Sequence, residues 1–559
     1  MNKYVRNMTQ GSELKHILMF TLPLLAGNLF QQFYNIVDSV IVGRYLGHEA
    51  LAAVGATGSI TFLFYTLCNG LSAGAGILIA QSFGAGRHDD VKRFIANSAY
   101  ALGFVGLGLT IISVAFAHLL LQMLDTPQNI LANATEYMRT ACAGTIAVAG
   151  YNWINSVLRA LGDSKTPLYF LIVASILNVG LDLLFVMVFG MGVVGAALAT
   201  VIAQGVSAVG SILFAVKKNE YFRLKREHLR LRREQFVRCM KTGTPIALQN
   251  ALVSVSMISL QKTANSFGDI VVAAYTATMR VEQLIQQPFN SLGTALSTFA
   301  GQNVGAAKPD RVVKGYHRSM LISTAFGLLM LGVFAFTSRY IVGFFVTEEQ
   351  VIDIGAKALL LSACFYVPLG FIHTTRGLLN GAGDVGFAFL NGLAEVVGRI
   401  GFAAILVNIP GVGMWAVWTT TCLTWVLTAV MCLIRYKGGK WRKKCLVDIE
   451  AAETEVIHAE QQNAKRKKRN VSAGARIVIA CAVTACRGTG RIRDNRLYAA
   501  HYIGRLCKLR SICGIYTVYS YNVSVVFCFC SGLLLQGKQK NVRPYPLYVH
   551  YRHSAEPCV

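Results

Sequence analysis

The chain has 559 residues, of which 54% are hydrophobic and only 14% charged, against roughly 25% charged residues in soluble domains. This composition excludes an ordinary water-soluble protein and indicates an integral membrane protein. The formal net charge of +26 does not indicate nucleic-acid binding, because the basic residues concentrate in alternate loops, as membrane topology requires.

Apolar stretches long enough to cross a bilayer as helices recur along the first 435 residues. The first of them is too long for a cleavable signal peptide, so we expect it to remain a membrane helix. We predict twelve transmembrane helices, near residues 16–43, 50–82, 93–121, 130–158, 167–189, 193–216, 241–266, 270–303, 314–345, 352–380, 386–408 and 412–435.

Lys and Arg fall in the loops on one side of this series, and the loops on the other side contain neither. The positive-inside rule therefore predicts that both ends of the twelve-helix region face the cytoplasm. We expect a multi-pass protein of the cytoplasmic (inner) membrane.

The sequence repeats itself at one constant separation. Gln81 corresponds to Gln302, Gly162 to Gly383 and Asp163 to Asp384, and these three pairs share a single separation, which we call the repeat spacing. Six crossings return the chain to its starting side, so two such halves are parallel repeats, an arrangement common in transporters. We predict four segments: a six-helix lobe (1–216), a basic cytoplasmic linker (217–240), a second six-helix lobe (241–437) and a basic, Cys-containing tail that is not a folded domain (438–559).

Several ordered motifs carry a family resemblance: "IVDSVIVGRYLGHEALAAVG", "AGAGILIAQSFGAG", "LRALGDSKTP" and "STFAGQNVGA". Together they resemble the multidrug and toxic compound extrusion (MATE) transporters over about residues 10–437. The resemblance implies a monomeric membrane protein that exports organic, often cationic, compounds in exchange for protons or sodium ions. It implies contact with membrane lipids, and it implies no enzyme activity, no cofactor and no nucleic-acid partner.

Few acids lie at membrane depth, where an ionisable residue indicates function. Asp182 follows Asn178 by four residues, so both side chains lie on one helix face. The resemblance implies that Asp38, Asn178, Asp182 and Thr200 bind the coupling cation. Two carboxyl groups in a low-dielectric site can share a proton, and the four side chains also offer oxygen ligands to sodium, the one metal ion we expect. The alternative for Asp182 is a structural hydrogen bond between helices.

The second lobe does not duplicate these acids, because the repeat places Leu260, Arg399 and Ala403 at the positions of Asp38, Asn178 and Asp182. Glu282 either faces the substrate cavity or sits at an interface beside Arg280. Glu395 is spaced four residues before Arg399, which favours a structural ion pair.

Two other functions are open to a membrane protein with this repeat. A flippase for lipid-linked saccharides would need several basic residues for a pyrophosphate, and the helices offer mainly Arg280, Arg376 and Arg399. An ATP-driven pump has no support, because the chain contains no GxxxxGK[ST] phosphate-binding loop.

Overall fold

A computed structural model describes residues 4–123, 126–446, 515–520 and 523–528 of the chain. The chain divides into two compact units, Met1–Val456 and Ile457–Val559. The first unit contains all the helices that are described below.

In the described part of the second unit, strand β1 (Ile515–Ser520) pairs antiparallel with strand β2 (Val523–Cys528). Most of the tail 438–559 lies outside the described residues, so the absence of a folded domain there stays a prediction. The tail's first residues do pack against the helices, because Trp441 is 1% exposed within a hydrophobic cluster of the first unit.

The first half of the helical unit contains α1 (Glu13–Gly84), α2 (His88–Gln122), α3 (Gln128–Ala143), α4 (Thr145–Ala160), α5 (Lys165–Asp182) and α6 (Gly192–Lys218). Helix α1 consists of two stretches, because the backbone at Gly47 is not helical (φ 83°, ψ −178°). A π-helical turn, Leu183–Val188, continues α5.

The second half contains α7 (Arg233–Asn265), α8 (Asp269–Gly305), α9 (Pro309–Gly343), α10 (Glu349–Cys364), α11 (Tyr366–Gly381), α12 (Val385–Leu406) and α13 (Ala416–Lys437). Local signals start some of these helices. Ser12 precedes α1 and accepts a hydrogen bond from the backbone N–H of Lys15, and Pro309 occupies the first position of α9, where its missing N–H costs nothing.

Eight helices in the described part of the chain are long and apolar enough to cross a membrane, or nine if the bent pair α10 and α11 forms one span. Large apolar side chains on the outer helix faces are exposed, among them Phe336 (84%), Phe104 (72%) and Ile176 (70%). A bilayer would cover such a surface. The helical membrane fold is therefore confirmed, whereas the exact count of twelve spans stays a prediction.

The predicted helices 130–158 and 352–380 are wrong as continuous helices. The first breaks at Gly144 (φ −81°, ψ 0°) and the second at Phe365 (φ −108°, ψ 10°), where α10 and α11 meet at 51°. Each break is tolerated because the backbone N–H at that position still donates to a carbonyl: the N–H of Gly144 donates to Ala141, and the N–H of Phe365 donates to Ser362.

The backbone confirms the internal repeat. The two helix breaks, at Gly144 and Phe365, lie one repeat spacing apart. Residues with positive φ follow the same spacing, in the pairs Gly47 and Gly268, Gly86 and Ala307, Gly162 and Gly383, Gly190 and Gly411, and Gly192 and Gly413. The two halves therefore share their turns as well as their helices.

The two lobes meet through small residues on α1, α7 and α8. A side chain at Gly70 would collide with the backbone of Ala247, and one at Gly74 would collide with Gly243. Small residues of this kind let membrane helices approach closely. The two lobes are thus in direct backbone contact.

Two glutamines join the lobes at the end of this contact. Gln81 Nε2 donates to the carbonyl of Gly381, and Gln302 Nε2 donates to the carbonyl of Ala160, both at 2.9 Å. The two donors lie one repeat spacing apart, and so do the two acceptors. We call these two hydrogen bonds, with their four residues, the glutamine clasp.

The side-chain oxygens of Gln81 and Gln302 bind the segments that lie before α1 and after α13. Gln302 Oε1 accepts from the backbone N–H of Met8 at 2.9 Å, and Gln81 Oε1 accepts from that of Leu446 at 2.8 Å. The segments before α1 and after α13 therefore take equivalent places in the repeat.

The linker 217–240 packs on the first lobe. Tyr221 and Phe222 are buried there, and the Asn97 side chain of α2 accepts from the backbone N–H of Arg232 at 2.9 Å. The linker is thereby anchored to α2.

Candidate functional site

Two carboxyl groups meet inside the first lobe. Asp38 lies on the first stretch of α1, and Asp182 ends α5 directly before the π-helical turn. The two side chains are close enough to interact directly. Asp182 is 0% exposed, and Oδ1 of each carboxyl group has no hydrogen-bond partner in the described part of the chain. Single π-helical turns are frequent at functional sites.

Asn178 links this pair to α6. With its amide nitrogen towards Asp182, it donates to Oδ2 of Asp182 at 3.2 Å, and its oxygen accepts from the backbone N–H of Thr200 at 3.3 Å. The reverse orientation sets the nitrogen 3.3 Å from the hydroxyl of Thr200. The first orientation satisfies both amide atoms and is therefore the better assignment.

A cavity of about 20 Å³ adjoins these side chains, with Gln31, Tyr34, Gln204, Asn178 and Thr200 among its lining residues. One water molecule needs roughly 10–15 Å³, so the space suits a single water or a small ion. Tyr34 and Tyr137 also interact electrostatically with both carboxyl groups. The sequence did not single out either tyrosine, because nothing in their spacing separates them from ordinary core aromatics.

No basic side chain of the described residues forms an ion pair with either acid. Within the described ranges, no Lys, Arg or His nitrogen lies within 4.0 Å of an Asp38 or Asp182 oxygen. The structure thus brings Asp38, Asn178, Asp182 and Thr200 together in one uncompensated polar site. Their role in binding the coupling cation stays a prediction.

Glu282 lies elsewhere, inside the second lobe. It is 6% exposed and sits beside Ser362, with Arg399 as its charged neighbour. Arg280, the neighbour that the sequence suggested, is exposed. Glu282 is not among the residues that line the larger cavity described below, so its place as a substrate-cavity residue stays a prediction.

The predicted ion pair between Glu395 and Arg399 is confirmed, with Arg399 Nη2 at 3.0 Å from Glu395 Oε1. Glu395 has a second partner that the sequence did not reveal, because Arg376 Nη2 on α11 lies 2.6 Å from its Oε2. Arg399 also donates to the hydroxyl of Ser256 on α7. The acid of α12 therefore stands between two guanidinium groups.

A larger cavity of about 230 Å³ lies between the lobes, bounded by α1 and α4 of the first lobe and by α7, α8 and α11 of the second. We call it the central cavity. Its lining contains no Asp or Glu. The polar lining residues are Asn69, Ser72, Ser156, Arg159, Gln249, Asn250, Asn290, Thr294, Ser297, Thr298, His373, Arg376 and Asn380.

The glutamine clasp closes one end of the central cavity. Ala80 and Asn380 line the cavity, and the next residues in the chain, Gln81 and Gly381, form one clasp bond. Ala160, the acceptor of the other clasp bond, lines the cavity itself. Helices α1 and α8 end here at loops that contain Lys and Arg, "GAGRHDDVKR" and "GAAKPDRVVK", and α4 and α11 end beside them. The cavity is therefore closed towards the basic loops.

Sequence reasoning missed two cationic or titratable cavity residues, Arg159 and His373. In the sequence, Arg159 belongs to the stretch "RALGDSKT", which is typical of a basic loop, although the structure places it on the last turn of α4. The spacing of His373, Arg376 and Asn380, three and four residues apart, could have indicated a shared helix face.

Known proteins match this chain in both lobes. The MatE family model matches residues 23–184 and 245–405, more than half of the chain. The probable multidrug resistance protein YpnP of Bacillus subtilis (strain 168) is 30% identical over 451 residues, which cover 78% of this chain and 97% of that protein. The FAD transporter of Shewanella oneidensis is 24% identical over 370 residues, which cover 65% of this chain and 81% of that protein.

Solved structures agree with this assignment at the level of the fold. One, described as the outward-facing conformation of a multidrug resistance MATE family transporter, has a TM-score of 0.73 and 24% sequence identity, and covers 80% of this chain and 98% of that one. Each of the two family matches falls within one of the repeated lobes. The chain therefore belongs to the MatE family, the multidrug and toxic compound extrusion transporters.

Proposed function

We propose that this protein is a cation-coupled antiporter that exports drugs and other organic compounds across the cytoplasmic membrane, with a proton or a sodium ion as the coupling cation. The observation that carries the proposal is the pair of the half-buried Asp38 and the buried Asp182, which has no basic partner in the described part of the chain. An uncompensated pair of acids favours the binding of a cation.

The pair can accept either ion. A proton can be shared between the two carboxyl groups, each of which has an unpartnered Oδ1 among the described residues. A sodium ion would take oxygen ligands from the same carboxyl groups, from the amide of Asn178 and from the hydroxyl of Thr200. In both cases the site becomes less negative when the ion binds.

The lobes supply the second requirement, a cavity that can open to alternate sides. Parallel repeats commonly rock against each other around a site between them. Here the glutamine clasp holds the lobes together on the side of the basic loops. Opening it would expose the central cavity to the cytoplasm, because the positive-inside rule places the basic loops on that side. Inward ion movement would supply roughly 2.3 kcal/mol per charge per 100 mV.

The relatives favour export of organic compounds, since one is a probable multidrug resistance protein and another an FAD transporter. A lipid-saccharide flippase is less favoured. Of the three arginines that the sequence suggested for it, only Arg376 lines the central cavity, where Arg159 joins it, so the relatives, and not a lack of basic groups, are what disfavour a flippase. We further propose that the protein acts as a monomer.

The test is transport by the purified full-length chain in proteoliposomes under an imposed proton gradient or an imposed sodium gradient. Ethidium and phenyl phosphate serve as substrates of opposite charge. We expect one gradient to drive transport, and Asp38→Asn and Asp182→Asn each to lower the gradient-driven rate at least tenfold. A matched control is Asp269→Asn, which makes the same change at an exposed acid of α8. The proposal is wrong if neither gradient drives transport, or if Asp38→Asn transports as fast as the unchanged protein.

A further inference from the structure

The central cavity has a charge that the family resemblance did not lead us to expect. Exporters of cationic compounds need a negative or apolar site, yet the lining of this cavity contains two arginines and a histidine and no Asp or Glu. Arginine stays protonated in proteins. The electrostatic potential inside the cavity therefore favours an anion.

Arg159 is the first of the two guanidinium groups. It lies at the end of α4, where its Nε donates to the backbone carbonyl of Asn155 at 3.0 Å. Its two terminal amino groups have no hydrogen bond, and its charge has no acid partner within 4.0 Å, in the ranges that the structure describes. A half-buried guanidinium group that lines a cavity and lacks a counter-ion is a ready anion-binding group.

Arg376 is the second, and it comes from the other lobe. Its Nη2 lies 2.6 Å from Glu395, and its side chain is 17% exposed. Glu395 is shared with Arg399, so one carboxylate faces two guanidinium groups. Because Glu282 also faces Arg399, these two acids and two arginines balance in charge. Glu395 fixes the orientation of Arg376, which lines the cavity, and Arg159 supplies the charge that has no acid partner among the described residues.

The other polar groups of the cavity suit an oxyanion with an organic body. Asn69 and Asn290 occupy equivalent positions of the repeat on α1 and α8 and offer amide N–H groups, as does Asn380. The volume of about 230 Å³ is more than ten times that of the cavity of about 20 Å³ beside the acid pair. This space admits a small organic molecule in the present closed arrangement.

We propose that the substrates of the central cavity are small organic anions whose phosphate or carboxylate group binds Arg159 and Arg376, one guanidinium group from each lobe. This inference rests on the proposed function for its transport role, but the binding itself requires neither an ion gradient nor the acid pair of the first lobe. Because the two arginines belong to different lobes, a bound anion would draw the lobes together.

The test compares two probes of similar shape and opposite charge, phenyl phosphate and phenyltrimethylammonium. Their binding to the purified full-length protein in detergent is measured by equilibrium dialysis, without any gradient. We expect phenyl phosphate to bind more tightly. Arg159→Gln should weaken its binding at least roughly tenfold, since charge-assisted hydrogen bonds are lost, and Arg159→Lys should restore most of the affinity. Arg238→Gln, at an arginine of α7 that pairs with Glu234 on the surface, is the control and should change nothing.

The inference is overturned if phenyltrimethylammonium binds as tightly as phenyl phosphate, if Arg159→Gln leaves phenyl phosphate binding unchanged, or if the folded protein binds neither probe. Arg159→Glu gives an independent check, because it should reverse the preference towards the cation. Phenyl phosphate that binds through Arg159 but is not moved by either gradient would contradict the proposed antiport and leave this inference standing.

Discussion

In the first lobe, Asp38 and Asp182 approach each other with no basic side chain at ion-pair distance among the described residues, whereas in the second lobe Glu395 lies between Arg376 and Arg399. The backbone does not cause this difference, since breaks and turns recur at one spacing in both lobes. The difference lies in the side chains. The second lobe has Arg399 at the position equivalent to Asn178 and Ala403 at the position equivalent to Asp182.

This contrast shows how one fold can hold acids for two purposes. Removing one partner of a buried ion pair leaves an uncompensated charge, so paired acids such as Glu395 stay charged and fixed. An acid pair without a counter-ion gains by binding a cation from solution. Only the first lobe offers such a pair in the described chain, so the proposed ion binding and the ion-paired support of Glu395 belong to different lobes.

The largest effect should follow from removing one arginine from the ion-pair cluster of the second lobe, which consists of Glu395, Arg376 and Arg399. Arg399 is 1% exposed, and Arg399→Met would leave Glu395 with Arg376 alone. We expect a loss of about 3 kcal/mol in the free energy of unfolding, the lower end of the range for a broken buried pair. Unfolding by titration with SDS measures it.

The matched change in the first lobe is Asp182→Asn. Because it removes a buried acid that has no counter-ion, it should cost less than about 1 kcal/mol or raise stability. Equal losses for Arg399→Met and Asp182→Asn would contradict the contrast between the lobes.

A smaller effect should follow from breaking the glutamine clasp, to which each lobe contributes one donor and one acceptor. Gln81→Leu leaves the carbonyl of Gly381 unpaired, and Gln302→Leu does the same to Ala160. Each change should weaken the closed state by about 2 kcal/mol, since a buried polar group loses its partner. The readout is labelling of Ser297→Cys, inside the central cavity, by an impermeant maleimide added from the side of the basic loops.

Both clasp variants should increase this labelling by similar factors, and Gln283→Leu on the exposed face of α8 should not. Site-specific quantification by mass spectrometry avoids confusion with the native cysteines. An increase in only one clasp variant would mean that the clasp is not equivalent in the two lobes.

The features that sequence alone predicted are those encoded along one helix or by exact repetition. The repeat spacing revealed the two lobes, and the separation of four residues put Asn178 and Asp182 on one face, as the structure shows. Asp38 was indicated as an acid at membrane depth, and the resemblance joined it and Thr200 to this pair; the structure brings all four side chains to one site.

The features that sequence missed depend on how helices face one another. The sequence left two places open for Glu282, and its observed neighbours, Ser362 and Arg399, were in neither. Arg159 turns into the central cavity although its sequence context resembles a cytoplasmic loop. Helix rotation is set by packing against several neighbours, and the hydropathy of one segment does not record it. The break at Phe365 could have been predicted, because Pro368 lies in the first turn of α11 and has no N–H to donate to the carbonyl of Cys364.

The smallest effect should distinguish the roles of Asp163 and Asp384, two aspartates at equivalent positions of the repeat. Asp163 accepts from the backbone N–H groups of Lys165 and Thr166, both at 3.0 Å, at the start of α5. Asparagine accepts such bonds nearly as well as aspartate, so Asp163→Asn should cost less than about 1 kcal/mol at any salt concentration.

Asp384 instead receives two hydrogen bonds from Arg435, at 2.6 and 2.8 Å. Asp384→Asn removes the charge on which this bidentate pair depends, so it should cost about 1.5 kcal/mol. High salt should reduce that loss, because the Arg435 side chain is 27% exposed and partly screened. SDS titration of both variants at low and high salt distinguishes the two roles, and an equal, salt-independent loss would mean that both aspartates act only as helix caps.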